Sequence, residues 1–142
     1  MKKARVLILC TGNSARSQMA EGLVRHEGGD RYEVFSAGAD PTQVRPEAIA
    51  VMREIGIDIS GHRSKSVDEF AGRPFDYVIT VCDNARKSCP FFPAGTQRLH
   101  WSIEDPAAIM GTGEERLAGF RRIRDELRNR IQSFLGEIRP NG

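Results

Sequence analysis

Eight consecutive residues concentrate the chemistry of this chain: Cys10-Thr11-Gly12-Asn13-Ser14-Ala15-Arg16-Ser17. They follow an apolar run, Val6-Leu7-Ile8-Leu9, and precede a segment with helical spacing. A strand, a tight loop and a helix start therefore meet at one cysteine. A Gly12/Asn13 turn can aim successive backbone N–H groups into one concavity. The helix beginning near Ser17 adds its unpaired amides and the positive end of its dipole. Such a cradle takes an oxyanion. Cys10 lies at its floor, where the same field favours thiolate over thiol and makes the sulfur a nucleophile. Arg16 can wrap back and hold two equatorial oxygens with its planar fork, and Ser17 can donate a hydrogen bond to the sulfur. Thr11, Gly12, Asn13, Ser14 and Ala15 complete the anion-binding loop. A buried cysteine at a strand end is commonplace on its own. Joined to the glycine, the arginine, the following hydroxyl and the flanking strand and helix, it points to an anion-binding nucleophile. The stretch is not a nucleotide P-loop, which ends in Gly-Lys-Ser/Thr.

Two further groups carry reactive side chains. Asp105-Pro106 reads either as a turn-forming pair or as a general acid on a proline-stiffened loop. In the second role it would protonate the hydroxide or alkoxide that thiolate attack on an oxyanion expels. Glu104 is a weaker candidate for the same task. Cys82 and Cys89 bracket the polar stretch Asp-Asn-Ala-Arg-Lys-Ser. That spacing is unusual for zinc, and no His pair completes a ligand set, so no metal site is expected. Cys82 leaves a strand and would begin a short helix, in which Cys89 lies about 10 Å further along. A disulfide needs Cα atoms within about 7 Å, so bonding the two requires the segment to unwind. Its polar composition makes unwinding cheap, and the pair reads as a redox switch.

The elements that must position these groups are legible in the apolar pattern. Ala4 to Leu9 reads as a buried parallel strand. Met19, Ala20, Leu23 and Val24 form a helical stripe ending at Gly28-Gly29. Tyr32 to Ala37 alternates as a second strand, and Pro46 opens a helix with Ile49, Met52 and Ile55 inward and Gly56 as its stop. Val67 to Phe70 suits a helical turn or two. Tyr77 to Val81 and Gln97 to Ile103 read as further strands. Leu117, Phe120, Ile123, Leu127, Ile131 and Phe134 mark a long final helix, with Pro140 beyond it. Strands alternating with helices predict an α/β fold with a parallel sheet covered on both faces. In such a sheet ligands bind beyond the carboxyl ends of the strands. Cys10, Cys82 and Asp105 each follow a strand, so the three converge on one edge.

The 142 residues suit a single domain, 1–142, and the net charge of +2 argues for no nucleic-acid or other polyanionic partner. No apolar run is long enough to span a membrane, and the apolar stretch after the basic start is too short for a signal peptide. A cytoplasmic location is expected, where three cysteines are inert core or chemistry rather than structural disulfides. No linker, repeat or cofactor motif stands out, and a monomer is the default.

The Cys10–Ser17 loop with Asp105-Pro106 resembles the low-molecular-weight protein tyrosine phosphatases. With Cys82 and Cys89 added, the closer resemblance is to the thioredoxin-coupled arsenate reductases built on that fold. The resemblance covers nearly the whole chain. It implies a three-layer α/β/α fold with a four-stranded parallel sheet in the order 2-1-3-4. It also implies Cys10 as nucleophile, Arg16 as oxyanion clamp, Asp105 as acid, and Cys82 and Cys89 as relay thiols. The implied activity is reduction of arsenate to arsenite, regenerated by thioredoxin, with phosphate or sulfate as competing oxyanions and weak phosphatase activity beside it. The alternative is a phosphotyrosine phosphatase working through a Cys10 phosphoenzyme. The tyrosines such phosphatases carry after the Asp-Pro are replaced here by Ala107-Ala108-Ile109-Met110, which weighs against it. A non-enzymatic oxyanion sensor is a third reading, and it would need no proton donor. Some relatives hold potassium beside the loop with residues matching Asn13, Glu21 and Ser36; a Thr and an Asp among their ligands appear as Arg63 and Lys65 here. Either the Lys65 ammonium replaces the ion and props the loop through Asn13 and Ser36, or this is a solvated basic loop. His62 and His100 receive no role beyond packing or surface.

Overall fold

A computed structural model describes residues 3–82, 96–106 and 111–137. Cys89, the expected short helix after Cys82, Ala107 to Met110 and Pro140 lie outside the described residues. The continuous apolar run forms β1 (Ala4–Cys10), in which Val6, Leu7 and Ile8 are wholly buried. β1 lies between β2 (Tyr32–Gly38) and β3 (Tyr77–Thr80), and β4 (Gln97–His100) forms the edge. Every pairing is parallel, in the order 2-1-3-4 within a three-layer α/β/α arrangement. All carboxyl ends therefore meet at one edge, with Cys10 beside Gly38 and Leu9 beside Thr80. β4 is shorter than the Gln97-to-Ile103 pattern suggests. Backbone pairing nevertheless continues past it, from Trp101 N to Thr80 O (2.8 Å) and from Ile103 N to Val81 O (3.3 Å).

Three helices pack together. They are α1 (Arg16–Gly28), α2 (Pro46–Arg53) and α3 (Gly113–Glu137). In α3, Phe120, Ile123, Leu127 and Ile131 are wholly buried and Leu117 is half-buried. The inward face of α2 is Ala48, Val51 and Met52, while Ile49 and Ile55 are only half-buried. The expected stripe is therefore turned by about one residue. Beyond the helix, Gly56 adopts φ 81°, and Met52 O accepts from both Ile55 N and Ile57 N. The turn this makes carries Ile57 and Ile59 into the core instead.

Side chains alternate across β2. Ser36 points to the α1 face, where its hydroxyl meets Glu21. Phe35 points to the other face, joining Phe70 and Phe75 at centroid separations of 5.6 and 5.8 Å. Val67–Glu69 forms a 3-10 turn rather than an α-helical one.

Candidate active site

The loop after β1 is held from outside by the segment that follows β2. Ala39 N donates to Cys10 O (3.2 Å), Asp40 N to Thr11 O (2.8 Å), Thr42 N to Gly12 O (3.0 Å) and Arg45 N to Ser14 O (2.8 Å). With its carbonyls drawn outward, the loop turns its N–H groups inward, which is the geometry an oxyanion needs. Behind it, α1 opens at Ala15 with no side-chain hydrogen bond capping it and no acidic residue in its first turn. Its first amides and positive dipole end face the same concavity.

Cys10 is 2 % exposed. Its Sγ lies 2.8 Å from Ser17 Oγ and accepts from Asn13 N at 3.2 Å. Asn13 is the only non-glycine residue at positive φ (48°) among the described residues, and that turn aims its N–H at the sulfur. The Asn13 amide orientation is set by its partners, because Oδ1 accepts from Lys65 N (2.8 Å) and Gln18 Nε2 (2.9 Å). Nδ2 is thereby left to donate to Ser17 Oγ at 2.7 Å. Ser17 accepts there, and its own proton is free for the Cys10 sulfur.

The other expected residues converge as the topology requires. Cys82 is buried, with its Sγ 3.1 Å from Thr11 Oγ1. Arg16 donates from Nη1 to Ile103 O (3.1 Å), a tether to the chain beyond β4, and its Nη2 lies 3.7 Å from Asp105 Oδ2. The candidate clamp and the candidate acid are thus neighbours. Glu104 instead pairs with Arg122 on α3, at the surface. Of the two carboxylates, Asp105 is the one placed beside Arg16.

Behind the loop is a polar cluster whose partners come from distant parts of the chain. Buried Glu21 accepts from Ser36 Oγ (2.5 Å) and Arg25 Nη2 (2.9 Å), with Lys65 Nζ at 3.8 Å and His62 Nδ1 at 3.6 Å. Burial pushes His62 below its ordinary value; Glu21 opposes this, and the Arg25 and Lys65 charges reinforce it. Burial likewise lowers Lys65, against the pull of Glu21. Local spacing signals only the Glu21–Arg25 pair, one helical turn apart on α1. The resemblance to potassium-binding relatives points to Glu21, Ser36 and Lys65, but not to Arg25 or His62.

The residues matching a potassium site do not fit the ion. Asn13 Oδ1 is filled by two donors, Ser36 donates to Glu21, and the Lys65 ammonium already neutralises Glu21 while donating to Arg63 O (3.0 Å). The expectation that the Lys65 side chain props the loop needs correcting in one respect. It is the Lys65 backbone N–H that reaches Asn13.

Residues 5–142 match the low molecular weight phosphotyrosine protein phosphatase family. An arsenate reductase of Halalkalibacterium halodurans is 46% identical over 134 residues, spanning 94% of this chain and 96% of that protein. The chain belongs to this family, in its arsenate reductase branch. A solved arsenate reductase in the oxidized state superposes with a TM-score of 0.81 at 33% identity, covering 94% of this chain and 98% of the other. A thioredoxin-dependent arsenate reductase of Corynebacterium glutamicum gives a TM-score of 0.76 at 30% identity, over 96% of this chain and 62% of that one. Among the described residues no helix is long and apolar enough to cross a membrane.

Proposed function

We propose that this chain is a single-domain cytoplasmic arsenate reductase regenerated by thioredoxin. The observation that carries the reading is the placement of Cys82 against Thr11, the residue that follows the nucleophile: a second thiol stands at the oxyanion loop. The curated arsenate reductases at 46% and 43% identity support the substrate, and the thioredoxin-dependent relative supports the reductant.

The chemistry follows from the residues. The Cys10 thiolate attacks arsenic(V) held by the loop amides and Arg16, and hydroxide leaves with a proton from Asp105. Cys82 then attacks the Cys10 sulfur. The sulfur–arsenic bond breaks with its electron pair on arsenic, which departs as arsenite, and a Cys10–Cys82 disulfide remains. Two electrons have passed from two thiols to arsenic. Cys89 attacks Cys82, releasing the Cys10 thiolate, and the Cys82–Cys89 disulfide is reduced by the thioredoxin dithiol. Phosphate and sulfate fit the same cradle and compete. Thiols do not reduce phosphorus, so a phosphoryl adduct can only hydrolyse, and weak phosphatase activity persists.

The test is NADPH oxidation with thioredoxin, its reductase and arsenate. Cys82→Ser abolishes NADPH oxidation and leaves aryl-phosphate hydrolysis in place. Multiple-turnover arsenate reduction by that variant would sink the relay. Absence of both activities in the unsubstituted protein would leave an oxyanion-binding protein.

A further inference from the structure

We infer that Gln18 is a positioning residue for the nucleophile, gripping Asn13 by its main chain and side chain together, and that His62 holds Gln18 in the orientation this requires. The inference rests on the arsenate reductase reading only for the identity of the substrate.

Gln18 is wholly buried in the first turn of α1. Its Nε2 lies 3.1 Å from Asn13 O, 2.9 Å from Asn13 Oδ1 and 2.9 Å from Arg63 O. The two N–H bonds of the amide are thus shared among three acceptors, two of them on Asn13. Asn13 in turn supplies both hydrogen bonds that converge on the sulfur, one directly from its N–H and one through Ser17. Its left-handed backbone is not a conformation most residues hold unaided. Fixing its carbonyl and its side-chain oxygen at once fixes the direction of both donors. Ser64 Oγ (2.8 Å to Asn13 O) and Lys65 N complete the grip from the far side.

The orientation of Gln18 is itself determined. His62 Nε2 lies 3.1 Å from Arg25 Nη1, and a guanidinium only donates, so Nε2 accepts. The ring proton therefore sits on Nδ1, 3.0 Å from Gln18 Oε1, and donates to it. With Oε1 held by His62, the amide nitrogen faces Asn13, and a flip would set Oε1 against three oxygens. His62 acts as a directional strut, and a loop already shaped for its anion loses less freedom when the anion binds.

The test uses Gln18→Met, similar in length and without hydrogen bonds, and compares His62→Asn with His62→Leu. Asn can place an amide nitrogen near the site of Nδ1, whereas Leu cannot. Three quantities are read: phosphate affinity from protection of Cys10 against iodoacetamide, kcat/KM for arsenate, and kcat/KM for an aryl phosphate. Gln18→Met is expected to weaken phosphate binding about tenfold and to lower both kcat/KM values at least as much, at a temperature where the fold is intact by circular dichroism. His62→Leu shows the same loss in smaller degree, and His62→Asn recovers most of it. If Gln18→Met does not fold, the His62 pair decides alone. Unchanged phosphate affinity and kcat/KM in Gln18→Met, or equal behaviour of the two His62 variants, would overturn the inference. If the arsenate reading is wrong but the strut is real, phosphate protection and aryl-phosphate hydrolysis still fall together.

Discussion

Ser17 stands between two groups that need it. It accepts from the buried Asn13 amide and lies against the Cys10 sulfur. Removing its hydroxyl leaves Asn13 Nδ2 without that acceptor and withdraws a donor from the Cys10 sulfur. In the proposed mechanism this sulfur attacks as a thiolate, and a hydrogen bond to a charged group contributes about 1.5–3 kcal/mol, so Ser17→Ala is expected to lower kcat/KM for arsenate by about 10- to 100-fold in the NADPH-coupled assay. A loss smaller than threefold would mean that the Asn13 N–H alone suffices for the sulfur. The same residue shows how much of the site was readable in the chain. Cysteine, glycine, arginine and serine lie within eight positions, so their chemistry could be assigned from spacing. The grip on Asn13 could not, because Ser64 and Lys65 reach it across 51 and 52 positions and Gln18 is oriented by His62, 44 positions away.

At the scale of elements, the end of β2 serves as a wall for the loop. A Cβ placed on Gly38 would fall 2.5 Å from Thr11 O and 2.8 Å from Asn13 N. Both are main-chain atoms of the loop, so neither can move without reshaping the cradle. Gly38→Ala is therefore expected to destabilise the protein by about 1–3 kcal/mol and to abolish detectable oxyanion binding, measured by urea unfolding and by phosphate protection of Cys10. Gly22 in α1 offers the contrast. A Cβ there would meet only side-chain methyls, of Ile59 (2.8 Å), Ile57 (3.3 Å) and Met52 (3.3 Å), none of them on the loop. Gly22→Ala should lower stability and leave phosphate affinity unchanged. Equal loss of binding in both variants would show that binding follows stability rather than the wall.

For the whole molecule, groups that the folded chain holds away from their ordinary pKa values set how stability varies with pH. Folded His62 lies below the ordinary value of 6.5, burial being the first cause. The unfolded chain therefore binds the proton more readily, and the His62 contribution, present above pH 6.5, is lost as pH falls through the folded value. A second loss begins lower. Glu54 is held below its ordinary 4.5 by Arg121 and Arg124, Glu69 is held below it by Arg63, and Asp58 sits below 3.8 through its bonds to Ser60. These contributions are present above about pH 4.5 and decline below it. Urea midpoints between pH 8 and 3.5 should thus fall in two stages, with His62→Asn removing the first alone. An unaltered first stage in that variant would assign it to other groups.

The chain by itself determined the strand–loop–helix around Cys10, the parallel α/β layout and the edge where Cys82 and Asp105 arrive. Those follow from local pattern and from the rule that parallel strands finish at one edge. Only the tertiary structure decided the rest: which face α2 buries, that Glu104 turns away to Arg122, and that Lys65 meets Asn13 through its backbone. It also decided that two polar residues without an expected role, Gln18 and His62, stand behind the Cys10 loop. Periodicity reports which residues leave water, whereas hydrogen-bond partners are chosen by whatever the packed elements bring within 3 Å or so, and no spacing along the chain encodes that.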